Sequence, residues 1–231
     1  MCFAQFGGVP KMSIPKAPEH KLLKADDIVK SIDYLPDQLK DTLYRYCQPY
    51  FPDTFKVEYI QINEDSFDKF FLSAAKTDGL SKLGMSLSDS ATANLKKYAR
   101  SHAADAALKE ILASVVGNTS PDSLTVDQSM QVEKIVKEKN KMGEDEKKYF
   151  SNTTIALGAM ATAQTLCVKA ANDLVNSGKD LPSKATSLGA PKSVYAADGV
   201  KTSMENLKSF VENSPKLIKT LNTLLTGFQS L

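Results

Sequence analysis

Between Lys148 and Lys169 the chain carries no charge: residues 149–168 read YFSNTTIALGAMATAQTLCV, built from Ala, Gly and Thr more than from Leu and Ile. A helix that crosses a bilayer takes about twenty predominantly apolar residues. Here Ser151, Asn152, Thr153, Thr154, Thr162, Gln164 and Thr165 would all enter hydrocarbon, where polar groups are costly. The segment therefore reads as the buried central helix of a bundle. Gly158, Ala159 and Ala163, together with Ala161 and Ala170, are its helix-packing positions, because small side chains let neighbouring helices approach closely.

The rest of the composition bounds the partners. With 42% hydrophobic and 24% charged residues, the 231-residue chain has the make-up of a soluble globular protein large enough for a substantial core. Of its 29 basic residues only Arg45 and Arg100 are arginines, and the net charge is +2. Sequence-specific nucleic-acid readers depend on the bidentate fork of arginine, so nucleic acid is excluded as a partner. The mixed run EKIVKEKNKMGEDEKK at 133–148 reads as a solvated helical face.

Three cysteines, Cys2, Cys47 and Cys167, are too few for a disulfide framework. One scheme accounts for the odd number. Cys2 is a candidate lipidation site near a trimmed export signal, which leaves Cys47 and Cys167 free to pair in an oxidising compartment. The competing scheme is three free thiols in the cytoplasm, with Met1 as the native start. The balance between periplasmic or secreted and cytoplasmic locations is even or leans slightly to the cytoplasm, since no charged or apolar leader segment is visible.

Along the chain, Gly7, Gly8, Pro10, Pro15 and Pro18 make residues 1–20 an extended N-terminal tether, and 21–231 a single helical domain. Leu22, Ala25, Ile28, Val29 and Ile32 space out a short helix before Pro36, and Leu39, Leu43 and Tyr46 a second up to Cys47. FKVEYIQI at 55–62 alternates with period two and is the one strand candidate, with no visible partner. A helix starting at Asn63 is expected to end at Gly79, and another, capped by Ser88, to reach Val116. Thr125 and Gln128 form the spacing of a capping box for a helix to about Met142. A helix from Glu144 to Gly178 follows, then a loop at 179–198. Two final helices, 198–213 and one capped by Ser214 with Pro215 in its first turn, complete the chain. The last bears a stripe of Leu217, Ile218, Leu221, Leu224, Leu225 and Phe228, which closes the bundle or docks on a partner. The fold class is all-α: an antiparallel helical bundle with a long central helix, short N-terminal helices and at most one short strand.

No catalytic, cofactor-binding or metal signature stands out. Neither His20 nor His102 has a carboxylate three residues ahead, which excludes a ferritin-like di-iron pair, and no H-E-x-x-H or C-x-x-C occurs. His102 reads as a surface or partly buried histidine. No G-x-S-x-G elbow or G-x-G-x-x-G loop is present. The expectation is thus a non-enzymatic helical scaffold or assembly subunit without a cofactor, acting through a protein partner or self-association and touching membrane only by its tether or surface. A pore-forming protein that releases the 149–168 segment is the first alternative. A ligand-binding lipoprotein is the second, with aromatic-rich residues 44–71 and the 179–198 segment around its pocket.

Overall fold

The computed structural model describes residues 17–231. Cys2 and most of the expected tether lie outside them. Eight helices and a two-stranded sheet follow in the order β1 (Glu19–Leu23), α1 (Ala25–Ser31), α2 (Asp37–Cys47), β2 (Val57–Gln61), α3 (Asp65–Ala104), α4 (Lys109–Val116), α5 (Val126–Glu138), α6 (Glu144–Gly178), α7 (Leu181–Ala185) and α8 (Lys192–Gln229). The mostly-α bundle expected from the sequence is what forms.

Three long rods build the core. On α3, Leu80, Leu83, Leu87, Ala91, Leu95 and Ala99 form an unbroken buried stripe, spaced three or four residues apart as one face of a helix requires. This stripe overrides the local break signals. The expected stop at Gly79 and restart at Ser88 are replaced by one helix of 40 residues, with Ser88 buried in its interior. The stretch expected to run on to Val116 ends instead at Ala104, where Asp105 turns the chain by accepting from the Ala107 N–H at 2.8 Å.

A similar correction applies to α8. Pro215 stands inside a continuous 38-residue helix, and Ser214 is no N-cap: its buried hydroxyl donates back to the Phe210 carbonyl at 2.6 Å. An interior proline costs about 3 kcal/mol, and burial of Leu207, Phe210, Leu221 and Leu224 on either side of it holds the helix together. The 179–198 loop also contracts. It contains α7 and the first turns of α8.

Contacts fix the directions of the rods. α3 near Leu80 and Gly84 meets α6 at Gln164, and further along His102 meets Glu146, so the two run antiparallel. Phe71 lies at Gly199 and Gly84 at Leu217, so α3 and α8 run parallel. The terminal stripe faces inward, with Leu221, Leu224 and Phe228 buried and Leu217 and Leu225 packed against the core.

The strand at 55–62 finds its partner within the chain. β1 pairs antiparallel with β2, Glu19 opposite Gln61 and Leu23 opposite Val57. This second strand was not expected: Glu19 and His20 fall in the segment read as a tether, and Leu22, read as the start of a helix, is an exposed strand residue.

The charge-free helix is buried on one side only. Phe150, Thr153, Leu157, Met160, Ala163, Gln164 and Cys167 face the core, while Ser151, Ile155, Thr162, Thr165 and Leu166 face outward. Ala159 and Ala163 are buried. Gly158 is not: it is half-buried, and a methyl group there would sit 3.8 Å from Leu225, an ordinary contact. Gly199 differs, because a Cβ would lie 2.6 Å from the Phe71 ring and 2.7 Å from Ile60. Glycine costs a helix about 1 kcal/mol relative to alanine, whereas overpacking costs about 1–3 kcal/mol. Urea denaturation should therefore show Gly158→Ala stabilising the fold by about 0.5–1 kcal/mol and Gly199→Ala destabilising it by about 1 kcal/mol. Equal signs for the two would contradict this account of the helix crossings.

Candidate functional site

His102, Glu133 and Glu146 come from α3, α5 and α6 and converge at one end of the bundle. The imidazole Nδ1 lies 3.0 Å from Glu133 Oε1 and Nε2 lies 3.6 Å from Glu146 Oε2. Glu133 is 0% exposed and Glu146 5%, so the 133–148 run is not the solvated face that its composition suggests. Only the His102 side chain, at 17%, opens toward water. Carboxylates are almost never buried to this degree unless paired.

Each residue is placed by its own helix. Glu133 shares the inner face of α5 with Ser129, Val132 and Val136, and the helix is fixed in rotation by a reciprocal cap: Gln128 N–H donates to Thr125 Oγ1 at 3.2 Å and Thr125 N–H to Gln128 Oε1 at 3.0 Å. Glu146 lies in the first turn of α6, one turn before Phe150, and His102 one turn after Tyr98. Beside the three charged groups lies an aromatic wall: Tyr98 meets Tyr149 at a tilt and Phe150 edge-on, each with ring centres 5.5 Å apart, and Phe150 meets Phe228 edge-on at 5.5 Å.

The electrostatics follow from this burial. Desolvation, then the neighbouring Glu133 carboxylate, push the Glu146 carboxyl up to about 7. Its hydrogen bond to Glu133 raises the His102 imidazole, Glu133 and Glu146 adding their charge, and Asp105 beyond them. Two carboxylate oxygens, Glu133 Oε2 and Glu146 Oε1, are buried with no hydrogen-bond partner. One donor atom from each of the three residues lies within 4.8 Å of the others. This is a set of donors that metal ions use, and it was not expected from the sequence.

The other residues singled out in the sequence are dispersed. Cys47 and Cys167 do not pair: both are free and buried. Cys47 Sγ donates to the Ala156 carbonyl at 3.6 Å, and Cys167 is eleven residues further along the same helix, about 16 Å away at 1.5 Å per residue. A disulfide needs Cα atoms within about 7 Å. Thr77 donates to the Ser73 carbonyl, so Tyr34 donates to Thr77 at 2.9 Å and Cys167 to Tyr34 at 3.1 Å. Burial pushes the Cys47 thiol up to about 12 and the Cys167 thiol up to about 11, which makes both unreactive.

Two cavities accompany these groups. One, of about 410 Å³, lies between β2, α3 and α8, with Val57, Tyr59, Ile60 and Phe71 as apolar wall and Asp198 and Thr202 as polar contacts. The other is an open groove of about 710 Å³ between α6 and α8, lined by Thr165, Val168, Pro215, Ile218, Thr223 and Thr226, with Lys219 its one charged lining residue. Compared with known proteins, the chain matches no family model, no curated protein and no solved structure.

A pH dependence follows for the metal-free protein. His102 and Glu146 both hold a proton more tightly folded than unfolded, so over their titration the folded state binds more protons and stability falls as pH rises. The Glu146 contribution is complete below its ordinary value of 4.5 and is lost by about 7; that of His102 is complete below 6.5 and fades above it. In chelator-treated buffer, Glu146→Gln should leave the urea midpoint near the wild-type value at pH 5 and raise it at pH 8. An equal difference at both pH values would overturn this assignment of the proton.

Proposed function

We propose that this chain is a non-enzymatic helical scaffold that assembles with a second copy of itself through the outward strip of α6 and the groove beside it. The supporting observation is the chemistry of that strip. Ile155 and Leu166 are each 38% exposed on a helix whose residues 149–168 carry no charge, in a chain of which 24% is charged. Its threonines are less polar than their number suggests. Thr162 and Thr165 donate their hydroxyl protons to the Gly158 and Ala161 carbonyls, and Thr223 and Thr226 across the groove donate to Lys219 and Asn222, each at 2.9 Å. With the protons turned inward, methyl groups make up more of the outer surface.

A neutral face suits a second copy in particular. In a two-fold dimer each patch meets itself, so a charged patch repels its own copy and an uncharged one does not. α6 also has the length and hydropathy to cross a membrane, but half of its most apolar window is buried in the bundle. Inserting it would expose the buried Gln164 to lipid and break its bond to the Leu80 carbonyl.

Light scattering on the eluting protein tests the proposal. The wild type should run as a multiple of 25.2 kDa, and Ile155→Glu with Leu166→Glu should reduce it to the monomer with an unchanged circular dichroism spectrum. A wild type that is monomeric at about 100 µM, well above the micromolar Kd of a weak specific interface, overturns it. Dye leakage from liposomes would favour the pore-forming alternative instead.

A second reading rests on the 410 Å³ cavity, which is of a size for a small ligand. Its lining joins residues 57–60 and 71 to Asp198, bringing together the two regions named above for a lipoprotein pocket. Native mass spectrometry checks it through a retained small molecule.

A further inference from the structure

We propose that His102, Glu133 and Glu146 bind one divalent transition-metal ion of the zinc class, which clamps α3, α5 and α6 together. The inference goes beyond the scaffold reading and does not depend on it. Three observations carry it. The donor atoms come from three helices and lie within 4.8 Å of one another. Both glutamates are buried, at 0% and 5% exposure. The oxygens Glu133 Oε2 and Glu146 Oε1 lack any hydrogen-bond partner. A buried carboxylate oxygen left unpaired is costly, and two at one place call for a cation.

Charge and ligand type narrow the ion. A neutral imidazole and two carboxylates together carry two negative charges, which a divalent ion cancels in a region that water scarcely reaches. Magnesium and calcium prefer oxygen ligands alone, whereas imidazole with carboxylates suits zinc, cobalt, iron and manganese. Ligand bonds near 2.1 Å put donor atoms about 3.4 Å apart on a tetrahedron, whereas here Glu133 meets Nδ1 at 3.0 Å and Glu146 meets Nε2 at 3.6 Å, and one ion takes only one of the two ring nitrogens. Binding therefore turns a side chain so that one nitrogen and both carboxylates face the same ion, from donor atoms that start within 4.8 Å of one another, and His102 is the member of the cluster that opens toward water.

A proton shared by the glutamates is the competing way to neutralise them, and it is the state the ion displaces. An ion binds only deprotonated carboxylates and a neutral imidazole, so any protons held in the cluster leave as it binds. Affinity therefore rises with pH. Neither of these cavities is lined by any of the three residues, and the role proposed for the ion is to hold the helices together.

The test uses the full chain, stripped with chelator and titrated with Co²⁺ and Zn²⁺. One Co²⁺ per chain should bind, with the visible d–d absorption of a low-coordinate cobalt site, and Zn²⁺ should displace it. At Zn²⁺ a hundredfold above Kd the Tm should rise by about 5–10 °C. Glu146→Gln imitates the protonated carboxyl and should fold at neutral pH, yet lose the cobalt spectrum, weaken Zn²⁺ binding by at least 100-fold and abolish the Tm shift. Glu144→Gln, at an exposed neighbour paired with Lys147, should change none of these. Absence of a one-to-one site in the wild type, or equal binding by Glu146→Gln, overturns the proposal and leaves the shared proton as the sole occupant.

Discussion

The crossing of α3, α6 and α8 at Gly84 is the contact on which the rest of the fold depends. Gln164, fully buried on α6, donates its side-chain amide to the Leu80 carbonyl of α3 at 2.7 Å. Burying an amide is unfavourable unless it is bonded, and the bond exists only because position 84 has no side chain. A Cβ there would lie 2.7 Å from Gln164 Nε2 and 3.2 Å from Leu217 of α8. One polar bond and one missing methyl group thus set the depth at which all three long helices meet. From that point the helices extend to the aromatic wall and the His102 cluster at one end, and to Gly199, Phe71 and the two-stranded sheet at the other.

What was legible in the sequence was what local physics decides. The Thr125–Gln128 cap is made by atoms three residues apart, and both of its hydrogen bonds form. The α6 limits follow from Gly143 and Gly178 on either side of a long helical run. The misread points are those where burial outweighs a local signal. Gly79 and Ser88 look like a helix end and a helix start, and Ser214–Pro215 like a cap. In each case apolar residues before and after the break lie on the same buried face, so stopping the helix would have cost more than passing through. The partner of β2 was hidden for a different reason: only five residues of pairing are needed, too few for alternation to be seen beside an exposed Leu22.

The His102 cluster was hidden because its members are 31 and 13 residues apart, and neither spacing places two side chains on one face of a helix. A weaker signal was present. Glu133 falls three residues after Met130 and three before Val136, on the apolar side of α5, and Glu146 falls four before the buried Phe150. A carboxylate at a core position is worth noticing in any amphipathic run. The mixed charge of residues 133–148 masked it, since two buried glutamates read like the other charged residues around them.

These two buried glutamates also give the neutral face its fixed end. Glu146 is joined to α3 and α5 through His102 and Glu133, and the charge-free stretch begins three residues later at Tyr149. One turn beyond Glu146, Phe150 bears on Tyr98 of α3 and Phe228 of α8, each at 5.5 Å. The first two turns of α6 are therefore held electrostatically and then by rings, against both of the other long helices. The outward residues Ile155, Thr162 and Leu166 inherit their direction from that anchorage, because a helix fixed in rotation at one end and at Gln164 has no freedom to turn its polar backbone or its buried face outward. A surface proposed to pair with its own copy requires this rigidity, since in a two-fold contact each pairing of one residue with another is made twice and both must fit at once. The buried Glu146 and the uncharged surface are two parts of one helix, and the first helps to set the orientation of the second.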